Sequence, residues 1–162
     1  MLGGACVTTT TLWFPDNSPV TNLEALRLGM VREGPRAGWQ ETVGARLAEV
    51  DAGRVVVELD AHAGHRHPGG VVQGGIITQI ADAAMGMSLL TLQAEGEANT
   101  TIELKINFVR PVVEGRIRAV GRVIEMRRTL LFGEADVFDQ EGRLVARASS
   151  TCLTISRKGW RG

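Results

Sequence analysis

Between Gly74 and Leu92 the chain runs through Ile76, Ile77, Ile80, Ala81, Ala83, Ala84, Met85, Met87, Leu89 and Leu90, with Asp82 as the one ionisable residue. The segment is long enough to be a principal helix, and its apolar side chains point in nearly every direction around one. A helix apolar all round has to be buried, so the rest of the fold must wrap it. A carboxylate in such a helix is costly unless it is paired, hydrogen-bonded or neutralised. Two readings are open for Asp82: a carboxylate tied to a structural partner, or a catalytic one. No basic residue stands at i±3 or i±4 to serve the first.

The flanking sequence supplies strands to do the wrapping. Residues 43–50 and 55–59 read as a hairpin around Asp51-Ala52-Gly53. Residues 101–109 alternate, with Ile102, Leu104, Ile106 and Phe108 on one face and Thr101, Glu103, Lys105 and Asn107 on the other. Residues 116–126, 130–138 and 144–155 read as three more strands, the last two joined through Asp139-Gln140-Glu141-Gly142. Ahead of them, Thr21 and Glu24 form a capping-box pattern, and Leu23, Leu26, Leu28 and Met30 predict a short helix that stops at Gly34-Pro35. The order predicts an α+β domain, an antiparallel sheet packed on a central helix. That domain spans residues 21–156, between a leader or extended arm at 1–20 and a tail at 157–162. No internal repeat occurs.

At 162 residues the chain is the size of one domain. Lysine plus arginine equals aspartate plus glutamate at 18 each, which argues against a nucleic-acid or anionic-membrane partner. No apolar run reaches the ~20 residues that cross a bilayer without a charge, and with no basic segment and no apolar stretch before Cys6 a signal peptide is not expected. Cys6 and Cys152 are too few for a disulfide framework and suit a reducing compartment, so the expected location is the cytoplasm, with both thiols free.

Gly74-Gly75 opens the helix, where unpaired backbone N–H groups and the positive end of the dipole meet whatever approaches. Glycine permits close approach, so these N–H groups can hold a developing oxyanion; the alternative is a pair that only makes a turn. His62, His65 and His67 are crowded enough to suggest a metal site, but all sit in one loop and no cysteine is near, so they read as solvent-facing or hydrogen-bonded residues. No metal is expected there. Met85, Met87, Leu89 and Leu90 read as core, or as the lining of an apolar pocket.

The stretch His67-Pro68-Gly69-Gly70-Val71-Val72-Gln73-Gly74-Gly75, followed by Ala81-Asp82-Ala83-Ala84-Met85-Gly86, resembles the signature of the PaaI-type hotdog thioesterases. Thr101-Ile102-Glu103-Leu104-Lys105-Ile106-Asn107-Phe108-Val109-Arg110-Pro111 resembles that family's central strand and its closing proline. The resemblance implies the hotdog fold, a long central helix wrapped by a curved antiparallel sheet, and hydrolysis of acyl-CoA at a subunit interface. Gly74 matches the family's backbone donor to the thioester, Asp82 its base or nucleophile, and Thr101 a hydroxyl that helps place water. His67 stands where the family usually has Asn or Gln, and Gln73 where it usually has His. The imidazole can still donate to a carbonyl or water, and the amide of Gln73 can brace the loop. Arg127-Arg128-Thr129 looks like the family's turn that meets the CoA phosphates, though a solvated basic turn reads the same way. CoA is part of the substrate, and no further cofactor is implied.

Helical rise adds a constraint of its own. Gly74 and Asp82 lie ~12 Å apart along one helix axis, whereas an oxyanion donor and a catalytic carboxylate must both reach one group. A second copy related by a two-fold axis resolves this, which makes a homodimer the minimal active unit, with a tetramer expected. Two rivals stand beside hydrolysis. An enoyl-CoA hydratase would want an Asp and His acid-base pair, and no His follows residue 67; a non-catalytic acyl-CoA sensor would bind without turnover.

Overall fold

A computed structural model describes residues 21–31 and 38–156 of the chain. The expected leader, the Gly34-Pro35 stop and the tail lie outside the described residues. Helix α1 (Asn22–Val31) and a short helix α2 (Gly38–Val43) precede the hairpin of β1 (Ala45–Asp51) and β2 (Arg54–Ala61). The long helix α3 (Gly74–Leu90) follows, then β3 (Glu97–Phe108), β4 (Gly115–Met126), β5 (Leu130–Phe138) and β6 (Leu144–Ser156). All pairings are antiparallel, in one six-stranded sheet of order β1-β2-β4-β5-β6-β3. The sheet curves around α3, giving the expected hotdog architecture.

Local chemistry accounts for most boundaries. The Thr21 N–H and hydroxyl both donate to Glu24 Oε2, while the Glu24 N–H returns to Thr21 Oγ1, which completes the capping box of α1. Asp51 pairs with Arg54, leaving a tight turn at Ala52-Gly53 in which Gly53 takes a φ of +75°. Helix α2 lies just ahead of the first expected strand and takes in its first residue, Val43. It is too short to show a helical period, and Gly44, at φ +71°, ends it. Helix α3 stops at Leu90, slightly short of the expected end, and β3 begins at Glu97 rather than at residue 101.

The two faces of the sheet have different chemistry. Val55, Val57, Leu59, Ile117, Ala119, Ala135 and Val137 face inward and join Ile77, Ile80, Ala81, Ala84 and Met85 of α3 in one core. Outward, arginines and carboxylates alternate across the strands: Arg46 pairs with Glu58 and Asp60, Arg118 with Glu49, and Arg122 with Glu134 and Asp136. Opposite charges directly across a sheet stabilise it, and the neutral balance of the chain is therefore organised strand by strand. Helix α3 lies close against the sheet at Gly121, where an added Cβ would collide with the Ala84 carbonyl group.

Two features differ from the sequence expectation. The helix is buried on the side of Ile77, Ile80, Ala81, Ala84 and Met85, but Asp82, Ala83, Gly86 and Met87 are only partly covered in a single chain. Strand β3 does not alternate strictly either. Its register shifts between Thr101 and Glu103, which leaves Ile102 as a bulge residue 53% exposed, while Leu104 and Ile106 pack against the core. Phe108, at the end of this edge strand, is 52% exposed.

Candidate active site

The bulge decides what Thr101 can do. In strict alternation Thr101 would face away from Leu104 and Ile106; the extra residue at 102 turns its hydroxyl toward α3 as well. There Thr101 Oγ1 donates to Asp82 Oδ1 at 2.8 Å. Thr101 pairs across the sheet with Cys152, whose Sγ lies 3.6 Å from the same hydroxyl. Burial pushes the Cys152 thiol above its ordinary range, and the negative charge of Asp82 adds to this, so it stays a neutral packing group.

Asp82 and Thr101 lie within a cleft of about 630 Å³ between α3 and the first half of β3. Its walls are Ala83, Gly86, Met87 and Leu90 of α3, strand residues 98–101, and Trp39 of α2, with Gln79 one helical turn before Asp82. Asn99 fixes the two walls together: its Nδ2 donates to the Gly86 carbonyl at 3.0 Å and to Gln93 Oε1 at 2.8 Å. Trp39, Gln79, Gly86 and Asn99 were not legible as site residues. Trp39 belongs to the aperiodic α2, and the polar Asn99 precedes the segment whose alternation marks the strand.

Gly74 is the first residue of α3, with Gln73 as its N-cap. The Gly74 N–H donates to Gln73 Oε1 at 3.2 Å, so the side-chain amide covers the donor that the sequence singles out. Gly74 packs close to the Phe108 ring, where an added Cβ would sit 3.0 Å from Phe108 Cζ. Gly74 and Asp82 are not brought together within the chain; the helix holds them ~12 Å apart.

His67 Nδ1 accepts the Gly69 N–H at 2.9 Å, in the loop that leads to α3. A neutral ring in that role carries its proton on Nε2, which leaves a donor pointing away from the loop backbone. The other two histidines hold the loop together. His65 is buried beside His62, with ring centroids 3.9 Å apart, and accepts the His62 N–H on Nδ1. Desolvation and the neighbouring His62 charge hold its pKa below the ordinary histidine value, despite a hydrogen bond to the Val43 backbone. Among the described residues no group of three His, Cys, Asp or Glu side chains could hold a metal.

The basic turn at residues 127–129 joins β4 to β5 at the same end of the sheet as the cleft. The Thr129 carbonyl accepts the Thr154 N–H, and Thr154 pairs with Asn99. Arg127 is held by Glu125 at 3.1 Å, whereas Arg128 is exposed and makes no ion pair among the described residues. No helix among the described residues is long and apolar enough to cross a membrane.

Residues 69–146 match the thioesterase superfamily. A candidate esterase of Saccharolobus solfataricus is 33% identical over 113 residues, which cover 70% of this chain and 80% of that protein. The solved structure of a conserved protein from Pseudomonas aeruginosa superposes with a TM-score of 0.71 at 30% identity, covering 80% of this chain and 98% of the other. A phenylacetic acid degradation-related protein of Ralstonia eutropha, described as a candidate thioesterase, gives a TM-score of 0.71 at 27% identity, covering 79% and 98%.

Proposed function

Given that the chain belongs to the thioesterase superfamily, among the PaaI-type hotdog-fold thioesterases, we propose that its thioester hydrolase chemistry is the hydrolysis of an acyl-CoA to free acid and CoA, with Asp82 as the catalytic carboxylate. The observation that carries this reading is the Asp82–Thr101 pair inside a cleft with an apolar helix wall and a polar strand wall. The hydroxyl is a neutral partner that orients the carboxylate for work as a base toward water or as a direct nucleophile. As charge develops on the thioester oxygen, the Gly74 N–H and the α3 dipole stabilise it, and the thiolate of CoA leaves. Gln73 Oε1 gives up that N–H to the substrate oxygen and steadies the loop. His67 Nε2–H donates to the carbonyl or to water. Arg127, Arg128 and Thr129 receive the CoA phosphates, Arg128 foremost since it is exposed and has no competing ion pair among the described residues, whereas Arg127 is held by Glu125. The reaction needs no metal and no cofactor beyond the CoA of its substrate.

The working unit in this reading is a homodimer, further assembled into a tetramer, in the cytoplasm. Three observations support the dimer. Among the described residues strand β3 is an edge whose outer side is unpaired, and Ile102 and Phe108 on it are half exposed. Thr101 touches Asp82 near one end of β3, and Phe108 touches Gly74 at the other. An antiparallel pairing of β3 with its own copy, centred on Lys105 once the bulged Ile102 is left out of the count, sets Thr101 opposite the second copy's Phe108. The same two-fold axis then brings the second copy's Gly74 toward Asp82, which spans the gap a single helix cannot close.

The test is a panel of acyl-CoA substrates read by release of free thiol. Turnover that disappears in Asp82→Asn supports the proposal. Tight binding of acyl-CoA without thiol release would instead make the protein a sensor.

A further inference from the structure

Gly86 lies in the interior of α3, where glycine is destabilising relative to alanine. Nothing in the fold asks for it. Its backbone is helical with no positive φ, and an added Cβ would meet only Asn99 Oδ1, at an ordinary contact distance of 3.4 Å. The contrast is Gly121, where a Cβ would collide with the α3 backbone. What a side chain at position 86 would occupy is the cleft. From Asp82 the cleft runs toward the C-terminal end of α3, past Ala83, Gly86 and Met87 to Leu90, ~12 Å further on. This wall is apolar or bare, and the polar Gln79 lies on the other side of Asp82. Trp39 lines the same cleft from α2 and offers a large, rigid apolar surface.

We propose that Gly86 and Trp39 determine which acyl groups the enzyme accepts: the acyl chain leaves Asp82 along α3, through the gap that Gly86 keeps open and against the face of Trp39. This rests on the thioesterase reading of Asp82 and extends it to the acyl end of the substrate. A thioester seated at Asp82 directs its acyl group into the apolar half of the cleft, because burying that group there is favourable and the CoA nucleotide has its basic turn at the rim.

The test is a ratio. With acetyl-CoA, butyryl-CoA, octanoyl-CoA and benzoyl-CoA as probes, Gly86→Leu is expected to lower kcat/KM for octanoyl- and benzoyl-CoA at least about tenfold relative to acetyl-CoA. Trp39→Ala is expected to raise KM for the two large substrates several-fold more than it does for acetyl-CoA. Gly86→Ala keeps the helix intact, so its melting temperature should equal or exceed that of the wild type, and its selectivity should shift in the same direction by a smaller factor. An unchanged ratio in Gly86→Ala and Trp39→Ala, with the wild type turning over the large substrates through Asp82, overturns this assignment and leaves the thioesterase reading standing. Failure of the wild type to release CoA from any probe overturns both.

Discussion

The Thr101 hydroxyl donates to Asp82 Oδ1 at 2.8 Å, so a strand on one side of the cleft fixes the carboxylate of the helix on the other. The contact exists because of a bulge at Ile102, a backbone irregularity that costs β3 one regular pairing and re-aims one side chain. A hydrogen bond from a neutral hydroxyl orients the carboxylate without neutralising it, as an arginine would.

Removing that bond while keeping its volume tests its role. Thr101→Val is expected to lower kcat roughly tenfold to a hundredfold with little change in KM, because a displaced carboxylate misses the near-attack geometry. Thr101→Ser should recover most of the rate. Asp82→Asn is expected to lose at least ~100-fold. Steady-state kinetics on the three variants check this; a serine variant as slow as the valine one would show that Thr101 acts only through packing.

The placement of α3 depends on Gly121. A methyl group there would enter the space of the Ala84 carbonyl, which belongs to helix backbone and cannot swing aside. Gly121→Ala is therefore expected to cost about 1–3 kcal/mol or more, seen as a lower midpoint of urea unfolding. Because the helix must lift to accept it, activity should fall even at temperatures where the variant stays folded. Wild-type stability in this variant would mean that the helix rides higher on the sheet than the structure places it.

Much of this was legible before the fold was known. A segment apolar on every side containing one aspartate requires a wrapped helix and a use for Asp82, and the turn chemistry of Ala52-Gly53 and residues 139–142 marks where strands reverse. Gly74 and Gln73 are legible from their place at the helix start. What the sequence withheld was local irregularity. Strict alternation assigns Thr101 to the solvent side of β3, and only the bulge at Ile102 reverses this, while the resemblance alone marked Thr101 as a site residue that helps place water. Trp39 sits in a helix too short to register as periodic, and Gly86 resembles any small residue in a packed helix until its Cβ is seen to have room.

Acid should weaken the outer face first. Asp136 is nearly buried and accepts from Arg147 Nε at 2.6 Å and Arg122 Nη1 at 2.9 Å. Burial pushes its carboxyl up, but the bonds from Arg147 and Arg122 outweigh this and hold its pKa below the ordinary value of 3.8. A carboxyl whose folded pKa is depressed stabilises fully above its unfolded value, and that contribution is lost as pH falls through the folded one. Asp136→Asn is expected to destabilise the protein by about 1.5–3 kcal/mol at neutral pH, with the difference from wild type shrinking below about pH 4. Thermal melts from pH 7 to pH 3 decide it; a difference that stays constant across that range would show that the ion pairs contribute nothing.

The shared site makes the sharpest prediction. If each centre takes Asp82 from one chain and the Gly74 N–H from the other, two inactive proteins can repair each other. Asp82→Asn removes the carboxylate. Gly74→Pro removes the donor at the first helical position, where proline is accommodated, and Gln73 before it already has the extended conformation that a following proline needs (φ −60°, ψ 130°). The ring of Phe108 must turn away from the new Cβ, a rotation of one side chain with no backbone in the way. Unfolded and refolded together, the two variants should form mixed dimers in which one site is intact and the other lacks both groups. With random pairing, activity should return to at most about a quarter of the wild-type value per site. Mixed dimers can be counted by placing different affinity tags on the two variants. If they form in the expected proportion from well-folded parents and remain inactive, Gly74 and Asp82 do not serve one thioester, and the catalytic centre must be built within a single chain.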